Sequence, residues 1–403
     1  KMDPHSKNAV RWVLLLALAV GAWSAPKAAK AGRTTALFDE PYKPEESRHF
    51  DIQASSTFQP DPKKQFDLSY ADGTELKGFN ANDVVHIGQF HGMAPFGVIT
   101  DCNSPDFNGV DGILGFGLPK PGSEGKTLPR PILWALTDKE SQDSNAKELH
   151  RKFSFFSTDD AAEVQLGGYD PETTSGTMWY TPALSKQDFI VGVTSLKFGN
   201  DVGSSVELLQ FKSAADSRYG APSIMDSGTS CLVIPGDTMG GQLSNIPWND
   251  FSKNWGRGKS FWLKIGDKTW EIPFKQWYLQ DTQQTCVQPA PSGMQGILVG
   301  DVFFREYVVE FDMTEDRPVI GIAPLSKSYK PVKTNTLASF QLDQAPKTKL
   351  KLIKGYERMY PAEHTEVLTE VDRIPIVNQY GTQYFMDVGV GTPRQTFTVI
   401  FDT

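Results

Sequence analysis

Short apolar runs with alternating character recur along most of the chain and constrain its fold more than any other feature. Between Ser55 and Leu325 they include FDLSYADGTELKGF, VQLGGYD and FWLKIGDKTWEIP, with turn residues separating one run from the next. The apolar residues repeat with a period of about two, which indicates strands rather than helices. The 35 Gly and 27 Pro are spread over the whole length and interrupt any heptad pattern. We therefore predict a mostly β protein of antiparallel strands with few, short helices.

The length and charge of the chain limit what it can be. Its 403 residues are roughly two to three times the length of a typical domain, so we expect two lobes. Hydrophobic residues make up 39% of the sequence, which is enough to form cores. The 40 Lys+Arg and 48 Asp+Glu residues give a net charge of -8, which offers no electrostatic support for binding nucleic acid or an anionic membrane.

The cysteine and histidine patterns argue against a metal site. Cys102, Cys231 and Cys286 are too few for a disulfide scaffold, and their spacing matches no zinc site. At most one disulfide can form among them. The six His show no His-Glu-x-x-His spacing, and no Gly-x-Ser-x-Gly elbow is present. We therefore expect no metal, no cofactor, and neither a zinc nor a serine hydrolase.

The first 24 residues have the layout of a secretory signal peptide. Basic residues precede the apolar run from Val13 to Val20, and the small residues Ala22 and Ser24 follow it. The run is too short to span a bilayer comfortably. The alternative is an ordinary buried segment. We predict cleavage near Ser24 and entry into the secretory pathway, with secretion or an acidic lysosome-like or vacuole-like compartment as the destination.

Two aspartates end apolar strands and are followed at once by hydroxyl residues. They are Asp226 in SIMDSGTS and Asp402 in VIFDT. A single aspartate at such a position is usually a turn former, but a matched pair suggests chemistry. If the two turns face each other, their carboxyls can share one proton. One carboxylate then takes a proton from water while the other carboxyl donates to a carbonyl oxygen.

A second repeat accompanies the two aspartates. DGILGFG (111–117) and GILVGDV (296–302) each place apolar residues before a glycine, downstream of a candidate aspartate loop if Asp402 is imagined joined to the start of the chain. A buried glycine at that point permits close backbone approach beside the aspartate turn. Two unrelated strands that contain glycine are the alternative.

Together these motifs resemble the pepsin-like aspartic proteases, the family of pepsin and cathepsin D. IMDSGTS, GILVGDVFFREYVVEFD and IGIAPL are similar to the family's second lobe, and SSTFQ, YADGT and FNGVDGILGFG to its first. The resemblance covers residues 55–325 and 374–403. It implies a bilobal, mostly antiparallel β fold around a cleft and an aspartic endopeptidase that is most active at acidic pH. The implied partner is a polypeptide substrate, and we expect a monomer.

The resemblance also implies roles for individual residues. Asp226 and Asp402 match the two catalytic aspartates. Tyr70, Asp72 and Gly73 match the hairpin flap that closes over substrate, although Tyr70 can also be an ordinary surface residue. The positions that brace the two aspartate loops are Ser227, Gly228, Thr229, Thr403 and Gly32.

The order of the segments departs from the family. The implied domains are a signal peptide (1–24), a first lobe without its N-terminal strands (25–181), a second lobe (182–325), a Lys-rich prosegment-like linker (326–373) and the N-terminal strands of the first lobe (374–403). The charged 326–373 segment can equally be a solvated face. The chain therefore has the order of a circular permutation.

The permutation cuts the first catalytic turn. Joining Thr403 to Gly32 restores Asp-Thr-Gly, but Arg33 then stands where the family has Ser, and Cys286 lacks the upstream partner usual in the family. Three accounts stay open: a real permutant, a first copy followed by the truncated start of a second, and a misordered gene product. The alternative function is a catalytically impaired scaffold that acts as a binding or inhibitor-like protein.

Overall fold

The structure is a computed structural model. It describes the following residues: 13–16, 50–69, 75–103, 111–119, 130–137, 149–159, 161–209, 211, 214–234, 256–279, 284–290, 296–331, 347–348, 371–379 and 383–403.

Strands dominate these residues, which confirms the prediction of a mostly β protein. In chain order they are β1 (Val13–Leu16), β2 (Gln59–Ser69), β3 (Glu75–Ile87), β4 (Phe90–Cys102), β5 (Gly112–Gly115), β6 (Lys152–Ser157), β7 (Ala162–Leu166), β8 (Trp179–Pro182), β9 (Ile190–Gly199), β10 (Val206–Glu207), β11 (Ala221–Met225), β12 (Leu232–Ile234), β13 (Ser260–Ile265), β14 (Lys268–Ile272), β15 (Tyr278–Leu279), β16 (Gln284–Thr285), β17 (Val287–Pro289), β18 (Ile297–Val299), β19 (Tyr307–Asp312), β20 (Val319–Pro324), β21 (Lys347–Thr348), β22 (Val371–Gln379), β23 (Gln383–Val390) and β24 (Gln395–Asp402).

The helices of the described residues are short. They are α1 (Ile132–Thr137), α2 (Ala214–Tyr219), α3 (Phe274–Trp277) and α4 (Asp301–Phe304), with a 3-10 turn at Pro171–Thr173. The amphipathic segment LPRPILWALTDKE (128–140) favours a short helix, and α1 lies within it. A second such segment, GDTMGGQLSN, lies outside the described residues. Over the part of the chain that the structure describes, no helix has both the length and the apolar character needed to cross a membrane.

The first of two compact units combines the described residues of 50–137 with 385–403, and it includes β1. Its strands follow one another in the order β2, β3, β4, β1, β5, β24, β23, and β3 also pairs with β23. The C-terminal strand β24 is central: β5 runs parallel to it on one side and β23 antiparallel on the other. Val399 and Phe401 of β24 are fully buried, as the alternation in FTVIFD predicts.

The second unit contains the described residues of 147–384. One of its sheets has the order β22, β7, β6, β19, β20, β8, and another has the order β14, β13, β9, β11, β18, β12, β17. Phenylalanines fill the core beside the first of these sheets: Phe153 and Phe311 stack with ring centroids 4.7 Å apart. Phe198, Phe261 and Trp277 form a second aromatic group.

Two placements bear on the predicted domain boundaries. Strands β6 and β7 lie within the predicted first-lobe range (25–181) and pair in the second unit with β19 and β22 respectively. Sheet membership depends on these long-range ladders, which a local alternation pattern does not specify. Residues 13–16 of the predicted signal peptide form β1, antiparallel to β4 and parallel to β5. Cleavage near Ser24 stays a prediction.

Candidate active site

The first candidate aspartate, Asp226, follows directly after strand β11 in the second unit. Strand β11 lies between β9, which is antiparallel to it, and β18, which is parallel. The backbone N–H of Asp226 donates to the carbonyl oxygen of Val299 on β18 (3.1 Å), so the strand pairing reaches the aspartate itself. Asp226 is 3% exposed. The ladder therefore fixes where the chain turns and where this carboxylate emerges.

Two donors from the next three residues hold the Asp226 carboxylate. The backbone N–H of Gly228 donates to Oδ1 (3.0 Å), and the hydroxyl of Thr229 donates to Oδ2 (2.5 Å). Ser227 and Thr229 are both buried. Donors that point at a carboxylate stabilise its charged form and fix its orientation. The Asp-Ser-Gly-Thr sequence thus forms a local turn with an oriented, buried carboxylate.

Gly300 packs closely against the backbone of the Asp226 loop. A Cβ at position 300 would lie 2.3 Å from the Thr229 carbonyl oxygen and 2.5 Å from that of Cys231, so only glycine fits. The next residue, Asp301, donates its N–H to the Thr229 carbonyl oxygen (2.7 Å). This close contact explains why the repeated motif has a glycine beside the aspartate turn.

The second candidate aspartate, Asp402, ends strand β24 in the first unit. It is the parallel register partner of Gly115 on β5. Its carbonyl oxygen accepts the N–H of Phe116 (2.8 Å), and the Phe116 ring packs edge-on against Phe401 at 5.2 Å. Asp402 and Thr403 are 5% and 7% exposed. Asp402 is thus another buried aspartate at the end of a central strand.

Within each unit the aspartate has the same relation to a parallel neighbour. Asp402 pairs with Gly115, and because Met225 pairs with Val299, the next register step sets Asp226 beside Gly300. In both units the residue after that glycine donates its N–H to the aspartate turn. The repeat inferred from DGILGFG and GILVGDV is therefore also a repeat of strand pairing.

A buried network surrounds Asp301 that the sequence patterns do not indicate. This residue is fully buried, its Oδ1 accepts the hydroxyls of Ser157 (2.5 Å) and Tyr384, and its Oδ2 accepts Nε of Arg305 (2.6 Å). Burial first, and the Asp301 carboxylate next, raise the pKa of Tyr384 well above its ordinary value, so this phenol stays a donor. GILVGDV contains Asp301, but nothing local in the sequence indicates its partners.

The described residues contain one disulfide, the most that three cysteines allow. It joins Cys286 to Cys231, five residues after Asp226. The bridge joins the starts of β12 and β17, which are parallel neighbours with Leu232 opposite Val287. Cys102 is outside this bridge. The disulfide thus fixes the strand that leaves the Asp226 loop.

Several predicted site residues lie outside the described residues. These are Tyr70, Asp72, Gly73 and Gly32, and their roles stay predictions. The described residues place Asp226, Ser227, Gly228 and Thr229 together in one loop of the second unit, and Asp402 and Thr403 together in the first. Among the residues with described positions, no group of three or more His, Cys, Asp or Glu could hold a metal ion.

Comparisons with known proteins match most of the chain. The family model described as eukaryotic aspartyl protease matches residues 40–325. The chain is 28% identical over 281 residues to pepsin A-5 of Mus musculus, which covers 64% of the chain and 65% of that protein, just under two thirds. It is 24% identical over 292 residues to the renin of Echis ocellatus and 23% over 288 to rhizopuspepsin-1 of Rhizopus niveus, and each match covers 68% of the relative. The renin match covers 68% of this chain, and the rhizopuspepsin-1 match covers 69% of it.

Proposed function

We propose, from the premise that the chain belongs to the eukaryotic aspartyl protease family, that it hydrolyses peptide bonds of polypeptides as an endopeptidase at acidic pH. The observation that carries the proposal is the matched setting of Asp226 and Asp402. Each is a buried aspartate at the end of a central strand, beside a parallel strand that contributes a glycine. The mostly β structure agrees with the pepsin-like fold of the family.

The proposed chemistry needs only the two carboxyl groups and water. One carboxylate takes a proton from water, whose oxygen attacks the peptide carbonyl carbon, while the other carboxyl donates its proton to the carbonyl oxygen. The carboxyl that received the proton from water then gives it to the amide nitrogen, and the C–N bond breaks to release the amine. As the carbonyl re-forms, the hydroxyl proton returns to the other carboxylate, which restores both groups to their starting states. Because one of the two groups must keep a proton, we expect activity to be highest in acid.

The residues around the aspartates have supporting roles in this proposal. Thr229 and Gly228 orient the Asp226 carboxylate through the contacts described above. Ser227 and Thr403 are the hydroxyl neighbours that brace the two loops, and Gly32 completes the turn after Thr403. Tyr70, Asp72 and Gly73 form the flap over the substrate. No metal or cofactor enters the reaction.

The test measures hydrolysis of a denatured protein by the purified chain from about pH 3 to pH 7. We expect acidic activity that a statine-type transition-state analogue inhibits and that Asp226→Asn and Asp402→Asn each abolish. Asp201→Asn is the matched control. Asp201 also accepts backbone N–H and hydroxyl donors in a turn, from Gly203 and Ser204, but it is an exposed loop residue.

Two results would contradict the proposal. Full activity in either catalytic-aspartate variant would show that the chemistry lies elsewhere. A folded, β-rich chain with no activity at any pH would favour the alternative of an impaired scaffold that binds peptides or other proteins. Binding of the analogue without turnover would identify that second case directly.

We also propose that the chain enters the secretory pathway as a monomer with a removable N-terminal segment (1–24) and a prosegment-like region (326–373). The Cys231–Cys286 disulfide supports the compartment, because disulfides persist in oxidising environments. Mass spectrometry of the protein isolated from a secreting host tests both segments. An intact N-terminus at residue 1 would contradict the signal peptide.

A further inference from the structure

Two histidines of the first unit face each other across the hairpin formed by β3 and β4. His86 and His91 are direct register partners, so their side chains lie on the same face of the sheet. Their rings are stacked, with centroids 5.1 Å apart and an angle of 20° between the planes. The proposed hydrolysis does not use either residue. We refer to them as the His86–His91 pair.

The pair is open to solvent on one side. His91 is exposed, whereas His86 is half-buried. Among the charged residues around it, Arg394 and Asp83 act on His86 with opposite signs. A neutral imidazole has the lone pair that a metal ion needs.

We propose that the His86–His91 pair binds one divalent transition-metal ion, such as Zn²⁺, Cu²⁺ or Ni²⁺, on the face of this hairpin. Imidazole suits these ions, whereas Mg²⁺ and Ca²⁺ prefer sites of oxygen ligands. Rotation of the rings out of the stack brings one nitrogen of each to about 2.0–2.1 Å from a shared Zn²⁺ ion. Water completes the coordination, since the described residues supply no third ligand at this place.

The charges that face the pair set how tightly a cation binds. His86 pairs on its other side with Gly389 of β23. A Cβ on Gly389 would lie 2.3 Å from Nε of Arg394, so the guanidinium group lies over this third strand. Its positive charge opposes a bound cation, while Asp83 favours one. Removing the charge of Arg394 should therefore strengthen metal binding, and the same change would weaken an anion site.

The experiment titrates the full chain with ZnCl₂, CuCl₂ and NiCl₂ near neutral pH and follows heat release and thermal unfolding. We expect one equivalent to bind and to raise the unfolding temperature, because binding to the folded state stabilises it. MgCl₂ and CaCl₂ should have no such effect. His86→Gln and His91→Gln should each weaken binding by about tenfold or more, as lost metal-site partners do. His150→Gln is the control substitution and should leave binding unchanged.

A spectroscopic readout separates ligation from general effects on stability. Paramagnetic resonance of the Cu²⁺ form should show splitting from two imidazole nitrogens, and His91→Gln should leave one. Arg394→Gln should tighten Zn²⁺ binding, with the circular dichroism spectrum unchanged. Undiminished binding in the double histidine variant, or weaker binding in Arg394→Gln, would overturn the proposal. The proposal is independent of the proteolytic function, since Asp226→Asn should bind the metal normally.

Discussion

At the scale of single residues, the hydroxyl of Thr229 carries the most testable local role. It donates to Asp226 Oδ2 at 2.5 Å, and both residues are buried. A hydrogen bond to a charged group contributes about 1.5–3 kcal/mol, more than a bond between neutral groups. Valine has nearly the shape of threonine but no hydroxyl. The contribution of this one donor can therefore be isolated without opening a cavity.

We predict that Thr229→Val lowers kcat/KM for protein hydrolysis by about 10- to 100-fold, because the Asp226 carboxylate loses one of its two described donors. Thr229→Ser keeps the hydroxyl and should retain most of the activity. The measurement is the acidic proteolysis assay, with circular dichroism to confirm folding. Equal losses in the valine and serine variants would show that packing, not the hydrogen bond, matters at this position.

The sequence supports the choice of Asp226 and Asp402 but not their detailed partners. A strand pattern that ends in Asp followed by hydroxyl residues can be seen directly in SIMDSGTS and VIFDT. It does not distinguish Ser227 from Thr229 as the donor to Oδ2. The Asp301 network was beyond prediction, because its partners Ser157 and Tyr384 are 144 and 83 residues away in sequence. Local sequence patterns do not encode contacts between residues so far apart in the chain.

At the scale of secondary-structure elements, the strand β12 is tied to its neighbour by a covalent bond. Cys231 and Cys286 precede the parallel strands β12 and β17 and are separated by 55 residues. The N–H of Cys286 also donates to the Trp277 carbonyl oxygen (2.7 Å). A bridge that closes a loop of this length restricts the unfolded chain and is expected to contribute about 4 kcal/mol.

We predict that reduction lowers the free energy of unfolding of the second unit by about 2–4 kcal/mol. Urea unfolding followed by tryptophan fluorescence, with and without reductant, measures the change. Cys102→Ser is the matched control, because it removes a thiol but keeps the bridge, and its response to reductant should equal that of the parent chain. If reductant no longer changed the stability of the Cys102→Ser chain, the effect would depend on Cys102 and not on the Cys231–Cys286 disulfide, which would contradict the prediction.

Elements were predicted better than their pairing. The alternation in FTVIFD indicates a central strand, and β24 is indeed flanked on both sides, by β5 and β23. The identity of those partners does not follow from the alternation, since a period of two specifies only which face is buried. For the same reason, the alternation in β6 and β7 does not specify that their partners are β19 and β22.

At the scale of the whole molecule, the first unit is assembled from distant parts of the chain. Within the first unit, strand β24 lies between β23 and β5, and the strands β1 to β5 come from the N-terminal third of the sequence. Thr398 donates its N–H to Asp111 Oδ2 (2.8 Å) across a separation of 287 residues. Contacts of such high separation have a large loop-closure cost and slow folding. The order of segments therefore affects stability even when every contact is kept.

We predict that a rearranged chain, with Thr403 joined to residue 1 and new ends between residues 340 and 341, has a more stable first unit. All residues are retained, and the separation between Asp111 and Thr398 falls to less than half of its present 287 residues. Loop-closure entropy then favours the folded unit by up to about 1 kcal/mol, and refolding should be faster. Native-state hydrogen exchange of the amides in β5 and β24 measures the gain.

A second rearrangement separates the effect of the junction from that of the new ends. It keeps Thr403 joined to residue 1 but opens the chain between residues 240 and 241, in the second unit. Exchange in β5 and β24 should slow by the same factor as in the first rearrangement, because the distance along the chain between these strands is the same. If the slowing appears in only one of the two chains, the position of the ends is responsible. If it appears in neither, segment order does not limit the stability of this unit.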